Sequence, residues 1–134
     1  MALTMYRAKG IGLAAAQVGR FIRLFIIDLA LADGEEARLY EFINPKIVSG
    51  SGKVKFEEGC LSVPGYTEEV VRKENVFIEF QDRNGKPQAM EVHGLLAVAV
   101  QHENDHLDGI LFIDRLSPLK RKLVRKRLEK AVTL

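Results

Sequence analysis

At 134 residues, with 47% hydrophobic and 28% charged side chains, the chain is expected to form one domain around one core. It has no run of eighteen apolar residues and no signal peptide, so neither membrane spanning nor export is expected. A single cysteine excludes an internal disulfide and points to a reducing compartment, the cytoplasm by default or an organelle of bacterial descent.

In chain order, the first distinctive segment is Lys9-Gly10-Ile11-Gly12-Leu13-Ala14-Ala15-Ala16-Gln17-Val18-Gly19. Its close-spaced glycines imply a tight turn or a ligand that approaches the backbone. A phosphate loop is the rival, but no Lys-Ser/Thr pair follows and the spacing is not GxGxxG. Gln17 offers a neutral amide donor suited to a developing oxyanion. Branched and aromatic residues then predict strands over 24–28, 40–44, 68–72, 76–81 and 88–92, with 29–36 as an exposed loop around Asp33-Gly34. Asn84-Gly85 signals a hairpin between the last two strands.

A helix is predicted from about Gly94 to Leu107, and its first turns, Leu95 to Val100, are apolar on every side, the mark of a buried helix. Gly109 follows as a C-terminal stop. A second helix is expected to start at Ser117-Pro118, a cap followed by proline at the first helical position. The formal charge of +2 is unevenly spread along the chain. Residues 118–134 hold seven Lys/Arg against one acid, Glu129, and so carry +6, which leaves about −4 for the remainder. A solvated surface is the ordinary reading of such a helix.

The first helix ends in Gln101-His102-Glu103-Asn104-Asp105-His106. The spacing HExxH puts two imidazoles one turn apart on a single face with a carboxylate beside them, so His102 and His106 can share an ion while Glu103 flanks a coordinated water. Leu95 and Ala99 precede His102 by seven and three and extend an apolar wall along that face, either as a pocket or as plain core. Catalytic zinc-like sites usually take three protein ligands. Downstream of Gly109 there are only Asp114 and Glu129, and His93 lies upstream. Cys60 stands in the polar, turn-rich stretch Glu57-Glu58-Gly59-Cys60-Leu61-Ser62-Val63-Pro64-Gly65. Alone it would be read as a small buried hydrophobe; beside an HExxH short of a ligand it becomes the candidate.

Together GIGLAAAQ, EGCLS and QHENDH, in this order and at these separations, closely resemble the peptide deformylases, from about Met5 to the C-terminal helix. The resemblance implies an α+β fold of small antiparallel or mixed sheets around the buried helix that bears HExxH, plus a basic C-terminal helix. It implies Cys60, His102 and His106 as metal ligands and Glu103 as general base. Gln17 and the backbone N–H of Leu61 would hold the oxyanion, and Gly12, with its neighbour Ile11, would make main-chain contacts to substrate. Leu95, Val98 and Ala99 would line a methionine pocket, and Glu58 and Arg72 would brace the cysteine loop.

The reaction so implied removes the formyl group from formyl-methionyl nascent peptides and releases formate. Thiolate plus two imidazoles suits zinc, cobalt, nickel or iron, and the resemblance favours Fe(II). It also gives the helix over 117–134 a second reading, docking on the ribosome, where RNA phosphates would attract it; neither DNA nor a membrane is an expected partner. Two departures stand out. Ala16 occupies a position where many relatives carry proline, and residues 1–8 look like the tail of a helix that in relatives follows a longer leading segment. The expected domain is therefore 1–134, short of that segment, with apolar surface left open. The alternatives are a metallopeptidase using the same HExxH with another third ligand, and a deformylase-like ribosome-binding protein without turnover.

Overall fold

The structure is a computed structural model that describes residues 1–7, 10–20, 22–30, 38–60, 63–110, 118–119 and 122, with backbone alone for 58–60 and 63–68. The fold is α+β. Helix α1 (Ala2–Arg7) leads into β1 (Gly12–Ala14) and a 3-10 turn (Ala15–Val18). Strands β2 (Leu24–Ile27), β3 (Tyr40–Ser51), β4 (Val54–Cys60), β5 (Val63–Arg72), β6 (Asn75–Gln81) and β7 (Pro87–His93) follow, and then helix α2 (Gly94–Leu107). Five strands form one sheet in the order β1-β2-β3-β6-β7, antiparallel throughout. Strands β4 and β5 make a separate two-stranded arm.

Period-two alternation explains how the sheet positions α2. In β2, Phe25 and Ile27 enter the core shared with α2, while Ile26 turns to the other face and packs with Leu13 of β1 and Met5 of α1. β1 alternates in the same way, so that Ala14 joins the α2 core and Leu13 the α1 side. Phe25 and Phe42 lie 4.9 Å apart between ring centroids, and Phe42 and Phe80 meet edge-on at 4.7 Å. Val76 and Ile78 of β6 and Val92 of β7 close the same core around Ala97 and Val100 of α2.

Several expected elements change extent. The strand expected over 40–44 runs on to Ser51, through Pro45, because the register with β6 shifts between Ile43 and Lys46 and a proline without an N–H fits at such an irregularity. Asn44 there has φ 49°. The strand expected over 68–72 starts at Val63, and β1 and β4 lie where turns were expected. Asn84-Gly85 does mark the β6–β7 hairpin, but Asn84 is not left-handed: Gly85 has φ 76° and its N–H reaches the Asp82 carbonyl at 2.9 Å, a type I turn followed by a left-handed glycine. Asp82 reinforces it by accepting from the N–H of Asn84 and of Lys86 through Oδ1.

Helix α2 has the predicted bounds. Gly109 (φ 75°) donates to the His106 carbonyl at 3.1 Å and Ile110 to that of Asp105 at 2.8 Å, the paired bonds of a Schellman stop. Of the predicted C-terminal helix, Pro118, Leu119 and Lys122 have helical backbone; the rest of 117–134, and all but the first two residues of the loop expected over 29–36, lie outside the described residues. Among the described residues no helix is long and apolar enough to cross a membrane.

Asp28, buried just after β2, ties α1 to the sheet. Its carboxylate accepts from the Tyr6 hydroxyl at 2.7 Å and from the N–H groups of Ala30 and Arg38 at 3.0 and 3.3 Å. The Tyr6 hydroxyl above all, then the Ala30 N–H, hold its pKa below the usual carboxylate value against the opposing effect of burial. A carboxylate with a depressed folded pKa adds stability above its unfolded pKa, about 3.9, and loses it as pH falls through the folded value. Tyr6→Phe is therefore expected to destabilise by about 1 kcal/mol at neutral pH. In thermal unfolding followed by circular dichroism, the gap in Tm between this variant and the parent should close below about pH 4.

Candidate metal centre

The last two turns of α2 carry polar side chains into the interior. His102, Glu103, Asp105 and His106 are all buried, on a helix whose preceding turns are apolar all round. Burying polar groups costs free energy unless each finds a partner. The imidazoles find one another: Nε2 of His102 and Nε2 of His106 lie 3.1 Å apart, with ring centroids 4.7 Å apart and planes at 78°. Two such nitrogens at this distance need a proton or a cation between them. In a tetrahedral site with metal–nitrogen bonds of 2.0–2.1 Å, neighbouring ligand nitrogens stand about 3.3 Å apart, so the pair fits a shared divalent ion. Glu103 Oε1 lies 3.9 Å from His102 Nε2, and one donor atom from each of the three residues falls within 4.8 Å of the others.

β1 and the 3-10 turn pack on this end of α2. Gly12 stands against Glu103 so closely that a Cβ at position 12 would sit 3.0 Å from both Cγ and Oε1. No left-handed backbone angle calls for glycine at this position. Its requirement is space, because Gly12 shares the α2-facing side of β1 with Ala14 and the Glu103 side chain fills what a larger residue would need. In the 3-10 turn, Gln17 Oε1 accepts from the Ala14 N–H at 2.9 Å, which fixes the orientation of the amide and leaves Nε2 as its donor end.

The structure thus brings together His102, His106, Glu103 and Gly12, with Gln17 on the adjoining turn and Ile11 preceding β1. Leu95, Val98 and Ala99 share the helix face of the histidines; Val98 and Ala99 are buried, Ala99 within the main core, and Leu95 is half-buried. Cys60 ends β4 with its backbone opposite Val63 across a register shift, and the side chains of Cys60 and Glu58, with all of Leu61, lie outside the described residues.

Arg72 is buried at the end of β5, and its Nη1 donates to Asp105 Oδ2 at 2.5 Å. The expected partnership of Arg72 with Glu58 omitted Asp105. Removing one member of such a buried ion pair leaves an uncompensated charge, at a cost of about 3–5 kcal/mol. The sequence expectation leaves out Gln101 as well. Its Nε2 donates to the carbonyls of Lys73 and Ala97 at 2.7 and 3.0 Å, and its Oε1 accepts from the Lys73 N–H at 2.9 Å. Both residues carry a readable signal, since Gln101 and Asp105 are polar, four apart, and each immediately precedes a histidine on a helix otherwise expected to be buried.

A family model described as polypeptide deformylase matches residues 1–122. A peptide deformylase of Thermodesulfovibrio yellowstonii is 52% identical over 126 residues, covering 94% of this chain and 76% of that protein. One from Brucella suis is 53% identical over 128 residues, covering 95% and 73%. The crystal structure of peptide deformylase from Thermus thermophilus superposes with a TM-score of 0.89 at 43% identity, covering 97% of this chain and 76% of that one.

Gly12→Ala is expected to push the Glu103 carboxylate aside by a few tenths of an ångström while leaving the histidine pair in place. Metal content measured by atomic absorption should match the parent protein, while turnover should fall about tenfold, in line with the roughly hundredfold loss that a 1 Å misplacement can cause.

Proposed function

The chain belongs to the polypeptide deformylase family, and we propose that it removes the formyl group of formyl-methionyl nascent peptides with His102, His106 and Cys60 as metal ligands and Glu103 as the acid and base. The family is metal-dependent, and the observation that carries the assignment to the two histidines and Glu103 is the 3.1 Å approach of two buried imidazole nitrogens beside a buried carboxylate, with Cys60 added from the family resemblance. When bound, the ion supplies Lewis acidity, polarising the formyl carbonyl and bringing the pKa of a water toward neutrality. A thiolate with two imidazoles accepts Fe(II), zinc, nickel or cobalt, and Fe(II) is the proposed native ion.

Glu103 takes the proton of the attacking water and then delivers it to the departing amine nitrogen, so that formate and a free amino terminus leave. Its burial against Gly12 leaves the carboxylate little room to swing away between the two transfers. Gln17, with Oε1 held by the Ala14 N–H, directs Nε2 toward the carbonyl oxygen as that oxygen gains charge; the N–H of Leu61 is the second proposed donor. Ile11 and Gly12 offer main-chain contacts to the peptide, and Leu95, Val98 and Ala99 form the wall against the methionine side chain. Arg72 and Glu58 support the loop that holds Cys60. We place the work of residues 1–134 in one catalytic domain acting in the cytoplasm, or in an organelle of bacterial descent.

The test is formate release from a formyl-Met peptide by metal-loaded protein under nitrogen. Glu103→Ala should keep its metal and lose about a hundredfold to ten-thousandfold in rate. Gln17→Leu should lose about a hundredfold in kcat with little change in KM. Metal retention without formate from the parent protein would favour the non-catalytic alternative, and cleavage of unformylated peptides would favour the metallopeptidase. Ribosome docking through the basic segment 118–134 rests on its +6 charge. Co-sedimentation with ribosomes should then weaken steeply as salt is raised, as expected when several phosphates are neutralised together.

A further inference from the structure

We infer that Gln101 and Asp105 are positioning residues that stitch the base of the β4–β5 arm to α2 and so hold the Cys60 strand against the histidine pair. The inference rests on the reading of Cys60 as the third ligand. In their backbone ladders β4 and β5 pair with each other and with no strand of the main sheet among the described residues. The histidines, in contrast, are set by a helix embedded against that sheet. A three-ligand centre spanning the two bodies needs a fixed relation between them.

Arg72 and Lys73 supply it, at the end of β5 and just beyond. The Arg72 guanidinium meets Asp105, with both side chains buried, and the Lys73 main chain makes a two-way pair with the Gln101 amide, donating N–H to Oε1 at 2.9 Å and accepting from Nε2 at 2.7 Å. The Gln101 side chain thereby copies the donor and acceptor pattern of a neighbouring strand. A second bond from Nε2 to the Ala97 carbonyl, one turn back, fixes its direction. Gln101 and Asp105 are four apart and occupy the row beside His102 and His106, so the stitched row and the ligand row advance together along one helix. A shift of the arm therefore has to break contacts made by residues directly bonded, through the backbone, to both imidazole ligands.

The chain has one cysteine, so thiol alkylation reports on Cys60 alone. In zinc-loaded protein, Gln101→Ala and Asp105→Asn should each speed zinc release to a chelator and Cys60 alkylation by about tenfold, the scale on which supporting partners of metal ligands act. Gln101 is only half-buried, so its variant keeps the test open if Asp105→Asn does not fold. The Cys60→Ser background separates the two readings. Rapid zinc loss from Cys60→Ser with no further acceleration on adding Gln101→Ala supports the stitch. Zinc held by Cys60→Ser as tightly as by the parent protein removes the ligand reading itself. Zinc lost from Cys60→Ser but held normally by both stitch variants, or lost faster by Gln101→Ala with or without Cys60, overturns the stitch.

Discussion

Two imidazole nitrogens facing each other across 3.1 Å inside a buried helix set the terms for the rest of the molecule. Neither ring has bulk water to satisfy it there, so the arrangement is tolerable only if a proton or cation serves both. Keeping the rings at that separation requires the last turns of α2 to be stiff, and the chain supplies stiffness from both ends. Ala97 and Val100 anchor the helix in a core of Phe25, Phe42, Val76, Ile78 and Val92, and the Schellman bonds to Asp105 and His106 fix its final turn. The polar end of a core helix thus brings donor atoms of His102, Glu103 and His106 together without any change in helical geometry.

The neighbouring segments divide the chemistry between them. From the sheet side, β1 offers a residue with no side chain where the Glu103 carboxylate lies, and the following turn offers an amide with its oxygen already engaged. The carboxylate is confined and the amide is oriented within the folded chain itself, and such preorganisation lowers reorganisation in the reaction proposed for them. From the other side comes the arm, whose base is attached through Arg72 and Lys73. Gly12, Ala14 and Ala15 follow from the same crowding: their small size lets a strand and a turn pass directly beside the histidine-bearing face of a helix.

Much of this is legible in the chain, and the parts that are not have physical reasons. HExxH fixes its own geometry because helical spacing is rigid, and the apolar run Leu95 to Val100 followed by Gly109 bounds the helix on both sides. Gly12 could be singled out as a close approach, but not what approaches it, since Glu103 is ninety-one residues away and only the sheet brings them together. β1 was hidden because small residues have low strand propensity, and β4 because Glu57, Glu58 and Gly59 read as turn formers while the arm supports them through β5. Pro45 ended the expected β3 too early, since a sequence gives no notice of the register shift that lets the strand continue. Asp105 and Gln101 are legible as polar positions on a buried helix, but their partners, a guanidinium and a main-chain segment about thirty residues upstream, leave no periodic trace.

The separateness of the arm has a further effect on how the protein behaves in a crowded solution. Among the described residues no further strand joins either margin of this two-stranded ribbon, and an open margin invites intermolecular β-pairing and aggregation. Exposed Phe56 and Val71 add an apolar lure on that ribbon. Lys55 and Glu57 flank Phe56 and Glu69 stands two residues before Val71, so any incoming strand would have to desolvate ionised groups on arrival. These gatekeepers let a two-stranded hairpin stand apart from the main sheet without becoming a seed for self-association.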